Sequence, residues 1–307
     1  MDKVVQGLGW FVRRTASPIE LGRFYEEALG LPRLRSWETD EHAGAMYWAG
    51  EVCVFETNLI GENAATGTRE SQCIPVFRSH DLEASVERLL GSGAGFLRSE
   101  RDERADTVFV QDPEGFPLGI ERVTDDSFFA IDRKLTEAWP LGRTSLPGGI
   151  GIDGAVQALG RVVHLTTAPA GDAKFLADTL KLDKLGKLAG REWLGLGDTA
   201  VLDIRKSDLG LARPQDRVSV RDTWILREYG HDQLMESMRR KGEQPVSSLK
   251  FKGGMLDYFV TPGNRLFGFQ QRLRFDPDEP ARQMVEDLAA FSRWELETKT
   301  QEKCNDQ

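Results

Sequence analysis

The sequence predicts an α+β protein in which a group of short strands with a single helix occurs four times along 307 residues. Segments of helical period alternate with strand-like runs, and the second half of the chain repeats landmarks of the first. FYEEALGL at 24–31 aligns with FLADTLKL at 175–182, and DPEGFPLGIER at 112–122 aligns with TPGNRLFGFQQ at 261–271. These two landmarks begin 88 residues apart in the first half and 86 in the second, which indicates a duplication.

The first half contains two of the four units. In the first unit a strand at 7–14 precedes a helix at 20–31, whose apolar residues fall on one face, and further strands end near residue 58. The second unit has a strand at 72–79 and a helix at 81–93. It ends in TVFVQDPEGFPLGIERV at 107–123, where Asp-Pro-Glu-Gly is typical of a turn between two strands.

The pattern restarts in the second half. Strands at 160–167 and 199–206 enclose a helix at 171–182, and strands at 220–228 and 255–272 enclose a helix at 231–242. The sequence therefore predicts an N-terminal module at 1–125, a Pro/Gly-containing linker at 126–158, a C-terminal module at 159–275, and a C-terminal helix and tail at 276–307. The last helix covers 276–299, and we expect it to pack on its own domain.

Composition excludes several classes of function. The net charge of −9 argues against nucleic acid, because phosphate binding needs a basic surface. The sequence lacks an apolar run of membrane-spanning length and a signal-peptide core, so we expect no membrane. Cys53, Cys73 and Cys304 form no C-x-x-C motif, which predicts a reduced, cytoplasmic protein. The sequence leaves a homodimer open.

A strand followed by a helix ending F-Y-x-x-x-L-G-L, and later a D-P-x-G turn between strands, resembles the vicinal oxygen chelate superfamily. This superfamily includes glyoxalase I, bleomycin-resistance proteins and extradiol ring-cleaving dioxygenases. The resemblance covers 4–123 well and 159–272 more loosely, and YFVTPGNRLFGF at 258–269 is similar to a dioxygenase segment. It implies four βαβββ units forming two modules with cupped mixed β-sheets. Each cup would hold a divalent metal with one ligand from the first and last strand of each unit.

The ligand positions that the resemblance implies carry unsuitable residues here. In the first module they fall near Trp10, Val54, Ile74 and Gly119, and in the second near Arg161, Asp203, Thr223 and Gly268. Among these, Asp203 alone has a side chain suited to a metal, and a divalent cation needs several converging O or N donors. We therefore expect no metal site and no cofactor, with Fe, Mn, Zn or Ni as the alternative. His164 lies three residues from Arg161, so it should face the other side of its strand.

The residues expected to line the cups suggest two kinds of site. The first cup would contain Trp10, Val12, Val54, Ile74 and Val76 and would either bind an apolar molecule or be filled by its own side chains. In the second cup, an Arg161–Asp203 ion pair would replace the metal, or the arginines would bind an anion. Glycines at 119 and 268 would leave room for a ligand.

Two glutamates lie two residues beyond these positions, Glu56 after Val54 and Glu121 after Gly119. If both faced inward, they would form a carboxylate pair capable of acid–base work. If the strand ends left them solvated, they would have no such role.

These residues predict a metal-independent protein that binds a small hydrophobic or aromatic molecule. The alternative is an enzyme, a divergent extradiol dioxygenase- or lyase-type member acting on an aromatic compound. It would use a displaced metal site or, without metal, Glu56 and Glu121. A third interpretation gives the site to one module and a structural role to the other.

Overall fold

A computed structural model of the chain describes residues 5–39, 42–50, 53–60, 71–138, 156–208, 210–228, 230–251 and 254–271. The first half comprises β1 (Val5–Thr15), α1 (Pro18–Leu29), β2 (Arg33–Glu38), β3 (Ala43–Trp48), β4 (Val54–Leu59), β5 (Cys73–Arg78), α2 (Leu82–Gly91), β6 (Gly95–Arg101), β7 (Ala105–Gln111), β8 (Pro117–Val123) and α3 (Ala130–Ala138). The second half comprises β9 (Ala158–Thr166), α4 (Pro169–Leu180), β10 (Lys184–Leu188), β11 (Arg191–Leu196), β12 (Ala200–Lys206), β13 (Asp222–Glu228), α5 (His231–Arg240), β14 (Ser247–Phe251), β15 (Gly254–Val260) and β16 (Leu266–Gln271). The predicted C-terminal helix lies outside the described residues. None of the described helices combines the length and the apolar character needed to cross a membrane.

The duplication is visible in the helices that open the two halves. α1 begins with Pro18 in its first turn and ends at Gly30 in the left-handed conformation, and α4 has Pro169 and Lys181 at the same places. Proline suits the first turn because its missing N–H would be unpaired there. Glycine adopts the left-handed conformation without steric cost. Lys181 adopts the same conformation, at φ 58°, but its Cβ atom makes it costly.

The sixteen strands form two eight-stranded mixed sheets. The first sheet has the order β14-β15-β16-β13-β1-β4-β3-β2, and the second has the order β10-β11-β12-β9-β5-β8-β7-β6. At the centre of the first sheet β1 pairs antiparallel with β13, and at the centre of the second β5 pairs antiparallel with β9. Each unit contributes four strands and one helix, which confirms the predicted fold class.

The units that share a sheet are not neighbours in the sequence. The first sheet combines the first and fourth units, and the second combines the second and third. The expectation that Trp10, Val12 and Val54 share a cup with Ile74 and Val76 is therefore wrong. The two groups lie on different sheets, and each cup is built by one unit from each half of the chain.

A continuous apolar core fills the space on the helix side of both sheets. It includes Phe11 and Phe55 from the first sheet and Phe77 and Val162 from the second, all fully buried. The opposite faces of the sheets form the cups. We call the one on the first sheet the first cup and the one on the second sheet the second cup.

Helix α3 lies inside the predicted linker and was not predicted. Phe129, just before it, and Ile131 and Leu135 within it are buried in the apolar cluster that also contains Trp10 and Trp193. The ring centroid of Phe129 lies 5.3 Å from that of Trp193 on β11. The helix therefore helps to cover the cup side of the molecule.

Candidate functional site

The floor of the first cup is a row of residues across five adjacent strands. In the β-sheet register Trp10 lies opposite Val54 and Ile225, Ile225 opposite Gly268, and Gly268 opposite Tyr258. Trp10, Val54 and Gly268 are three of the predicted positions, taken from both halves of the chain. Val12 and Thr223 form the next row, opposite each other. Because the side chains of a strand alternate between the two faces, these residues all project into the same cup.

The lining of the first cup is apolar and aromatic. Its buried members are Trp10, Val12, Met46, Trp48, Val54, Ile225, Tyr258, Val260 and Leu266. Around them lie side chains that are only partly buried, namely Leu34, Trp37, Val220, Val246, Leu249 and Leu256. An apolar floor within a half-exposed apolar rim is typical of a small-molecule site. Trp48 belongs to this cup, whereas its neighbour Tyr47 packs in the core on the helix side.

Polar groups also reach the first cup. Glu56 accepts a hydrogen bond from Asn58 Nδ2 at 2.7 Å and is largely buried. Burial raises the pKa of Tyr258, and the negative charge of Glu56 raises it further. The positive charge of Arg14 and a hydrogen bond between Arg14 and Tyr258 act in the opposite direction. Arg14, Glu56 and Tyr258 therefore form one polar cluster beside the apolar floor. Thr223, predicted to line the site, donates its hydroxyl hydrogen to the carbonyl of Leu266 at 3.2 Å.

The suggested pairing of Glu56 with Glu121 does not occur. Glu56 lies on β4 of the first sheet and Glu121 on β8 of the second. Neither is solvated at a strand end, because Glu121 is fully buried and Glu56 nearly so. The unit pairing separates them, since the first and second units belong to different sheets.

Glu121 is the centre of an ion-pair network in the second cup. Arg104 makes two hydrogen bonds to it, at 3.0 and 3.1 Å, and Arg161 Nε lies 3.1 Å from its Oε2. Burial disfavours the ionised carboxyl, but the charges of Arg104 and Arg161 outweigh burial and lower the pKa of Glu121 to about 2. Arg104 also binds Asp132 of α3 at 2.6 Å, so the same network holds the helix in place.

Asp203 is the second anionic centre of this cup. Its Oδ2 lies 3.6 Å from Arg161 Nη1, 3.2 Å from Arg191 Nη1 and 2.7 Å from Arg205 Nη2. Arg205 also binds Glu100 at 2.8 Å. The predicted Arg161–Asp203 ion pair is present, and the arginines of this cup have carboxylate partners within it.

The remaining predicted positions of the second cup are packed. Ile74, Val76, Phe109 and Val163 form a small apolar cluster. A Cβ atom on Gly119 would lie 3.0 Å from Val76 Cγ2 and 3.1 Å from Phe109 Cε1. The room left by this glycine is therefore taken by neighbouring side chains rather than kept for a ligand.

The side chains of both cups are a poor match for a divalent cation. A metal site needs several O or N donors directed at one point. In the second cup the carboxylates of Glu121 and Asp203 are surrounded by arginines, which would repel the ion, and in the first cup Glu56 lies beside Arg14. Within the described part of the chain, no three His, Cys, Asp or Glu side chains are placed to hold a metal.

His164 lies on the helix side of β9, opposite to Arg161, as predicted. Its Nε2 lies 3.0 Å from Asp172 Oδ2, and Trp224 Nε1 donates to its Nδ1 at 3.4 Å. This histidine therefore connects buried groups of the core and does not reach either cup.

Sequence reasoning missed Arg14, Arg104, Asp132 and Tyr258. Arg14 could have been found, because it follows Trp10 and Val12 on the same face of β1. Arg104 and Asp132 had no usable signal, since they lie in a turn and in a helix within the predicted linker.

Comparison with known proteins supports the fold. A family described as a glyoxalase-like domain matches residues 10–120. A putative dioxygenase from Bacillus subtilis subsp. subtilis str. 168 is 17% identical, with 93% of this chain and 91% of that chain covered and a TM-score of 0.65. Glyoxalase I from Zea mays is 12% identical, with 86% and 92% covered and a TM-score of 0.61. No curated protein matches the sequence of the chain.

Residues 10–120 match the glyoxalase-like family, as the resemblance to the vicinal oxygen chelate superfamily implies, and the structural matches extend the same fold over most of the chain. At these identities the structural matches show the fold and leave the activity open.

Proposed function

We propose that the protein binds a small hydrophobic or aromatic molecule in the first cup and that binding needs no metal. The observation that carries this proposal is the row formed by Trp10, Val54, Ile225 and Tyr258, with a half-exposed apolar rim around it. Burying an aromatic ligand against such a surface is favourable, because each Å² of apolar area removed from water contributes about 25 cal/mol.

The contrast between the two cups supports the choice of the first. The second cup is occupied by its own ion pairs and by α3. The third interpretation from the sequence gave these two roles to the two modules of the chain, whereas here they fall to the two sheets, each built from both halves of the chain. We infer that the second cup supports the fold and that the first binds the ligand.

Replacing Trp10 by Ala tests the proposal. If its ring packs on the ligand, binding should weaken by more than about 1 kcal/mol, which is roughly fivefold in Kd. The measurement is calorimetric titration with a panel of one- and two-ring aromatic compounds. Phe96→Ala is the matched control, because Phe96 lies on β6 of the second sheet and is 59% exposed. Equal affinity of the wild type and Trp10→Ala for every compound that binds would contradict the proposal.

The alternative function is a divergent dioxygenase- or lyase-type enzyme acting on an aromatic compound. The closeness of Glu56 and Tyr258 in the first cup favours it, because a buried carboxylate beside a phenol is suited to proton transfer. A Glu56→Gln variant that binds the compound but loses turnover would support this enzyme. Stoichiometric Fe, Mn, Zn or Ni in protein purified without chelators would contradict the metal-independent function.

A further inference from the structure

The first cup carries more positive than negative charge. On its described strands, alternation places three arginines on the cup face, namely Arg14, Arg35 and Arg227. Among the cup-facing residues of the same described strands, Glu56 is the negatively charged one. This excess is local, since the whole chain has a net charge of −9.

Arg14 is the arginine best placed for a ligand. It is 2% exposed, and its Nη1 donates to the carbonyl of Val220 at 3.2 Å. Burial lowers its pKa; Tyr258, Glu56 and Asp222 counteract this effect, and the positive charge of Arg217 adds to it. A buried guanidinium has five N–H donors to satisfy, and an anionic ligand is a suitable partner for those that the Val220 carbonyl does not take.

The guanidinium of Arg14 lies toward the end of β1, because its Nη1 donates to the carbonyl of Val220, which precedes β13. Along β1, Arg14 is four residues beyond Trp10, about 13 Å at 3.3 Å per residue. Tyr258, however, belongs to the Trp10 row through Gly268, and its side chain is within hydrogen-bonding reach of Arg14. The Arg14 guanidinium and the Tyr258 hydroxyl therefore lie together between the Trp10 row and the end of β1, on the apolar face that Val12 also lines.

We propose that the ligand of the first cup is an aromatic or aliphatic carboxylate, with its apolar body on Trp10 and Val12 and its carboxylate on Arg14 and the Tyr258 hydroxyl. This inference rests on the proposed function and narrows it to a class of ligand. A guanidinium suits a carboxylate because its planar N–H groups match the two oxygens. The electrostatic attraction is strong in this cup because its apolar walls exclude water.

The test compares two probes that differ in charge, 2-naphthoate and 2-naphthamide. Calorimetric titration of the full chain should give a Kd at least about tenfold lower for the carboxylate than for the amide. The reason is that a hydrogen bond to a charged group typically lowers Kd by roughly one to two powers of ten. In Arg14→Gln this preference should disappear, and in Arg14→Lys part of it should remain. Arg191→Gln, which removes a guanidinium from the second cup, should leave both affinities unchanged.

Circular dichroism and thermal unfolding establish whether Arg14→Gln is folded, and if it is not, the comparison is made with Arg14→Lys alone. Raising the salt concentration should weaken 2-naphthoate binding more than 2-naphthamide binding. Equal affinity of the wild type for the two probes would overturn the carboxylate inference and leave the apolar cup intact as a binding site. Failure of both probes to bind would count against the proposed function and against this inference with it.

Discussion

Replacing Glu121 by Gln should lower the free energy of unfolding by about 3–5 kcal/mol, because the change leaves two buried arginines short of a carboxylate. Arg104 and Arg161 are at most 1% exposed, and both approach Glu121 within 3.1 Å. Breaking a buried pair in this way is more costly than never forming it, since the remaining charges keep their desolvation penalty. Urea unfolding of the wild type and the variant at pH 7 measures the difference.

The matched control is Glu83→Gln, which makes the same chemical change in an exposed ion pair. Glu83 lies 3.2 Å from Arg122, and its side chain is 69% exposed. An exposed pair contributes about 0–1 kcal/mol, so this variant should unfold almost as the wild type does. If both variants lost the same small amount, the second cup would not be the structural support that we describe.

The Glu121 contribution should also depend on pH. The pKa of this carboxyl is about 2 in the folded protein, below the ordinary glutamate value of 4.5, so folding favours the ionised form. The stabilisation is therefore fully present above about pH 5 and is lost as the pH falls from 4.5 toward 2. The stability difference between the wild type and Glu121→Gln should shrink by an amount on the order of 3 kcal/mol over that range. A difference that stayed constant between about pH 6 and about pH 3 would contradict this assignment.

The sequence was sufficient to predict the units but not their pairing. The helix beginning at Pro18 and the turn at Asp112 have local signals, namely apolar residues at helical spacing and a turn tetrapeptide. Whether β5 pairs with β1 or with β9 depends on contacts between distant parts of the chain. The alternation of side chains along the strands is the same for both pairings, so the sequence pattern does not distinguish them. The prediction that consecutive units share a cup failed for this reason.

The same limit applied to the candidate site. Trp10, Val54 and Gly268 were located correctly on the cup faces, because register can be counted from the landmarks. Glu56 and Glu121 could not be assigned to different cups without the pairing of the units. Arg104 was missed as a partner of Glu121 because it lies in a turn before β7. In a turn the sequence pattern does not indicate which way a side chain points.

Arg13→Met should lower the free energy of unfolding by about 3–5 kcal/mol, because Arg13 joins three of the four units. It lies on β1, and it binds Asp112 of the second unit at 3.1 Å and Asp222 of the fourth at 2.9 Å. Burial opposes its charged form, but Asp222, Tyr25 and Asp112 together raise its pKa. Methionine keeps much of the volume and removes the charge, so thermal unfolding of this variant reports the loss of the ion pairs.

The duplication supplies the control, because His164 occupies in the second half the place that Arg13 occupies in the first. His164 binds Asp172, which also accepts hydrogen bonds from the Thr261 hydroxyl at 2.8 Å and the Gly263 N–H at 2.7 Å. Replacing His164 by Leu therefore leaves Asp172 with at least these two donors, and we expect a cost of about 1–2 kcal/mol.

Asp222 is not protected in this way, since within the described residues its Oδ2 has no hydrogen-bond partner and Arg13 binds Oδ1. A variant without Arg13 would therefore leave a buried carboxylate with few donors between the two sheets. Equal losses in Arg13→Met and His164→Leu would mean that the two ion pairs of Arg13 add nothing beyond the single His164–Asp172 contact. A larger loss in Arg13→Met would show that the first half of the duplication holds the two sheets together by charge, as the geometry indicates.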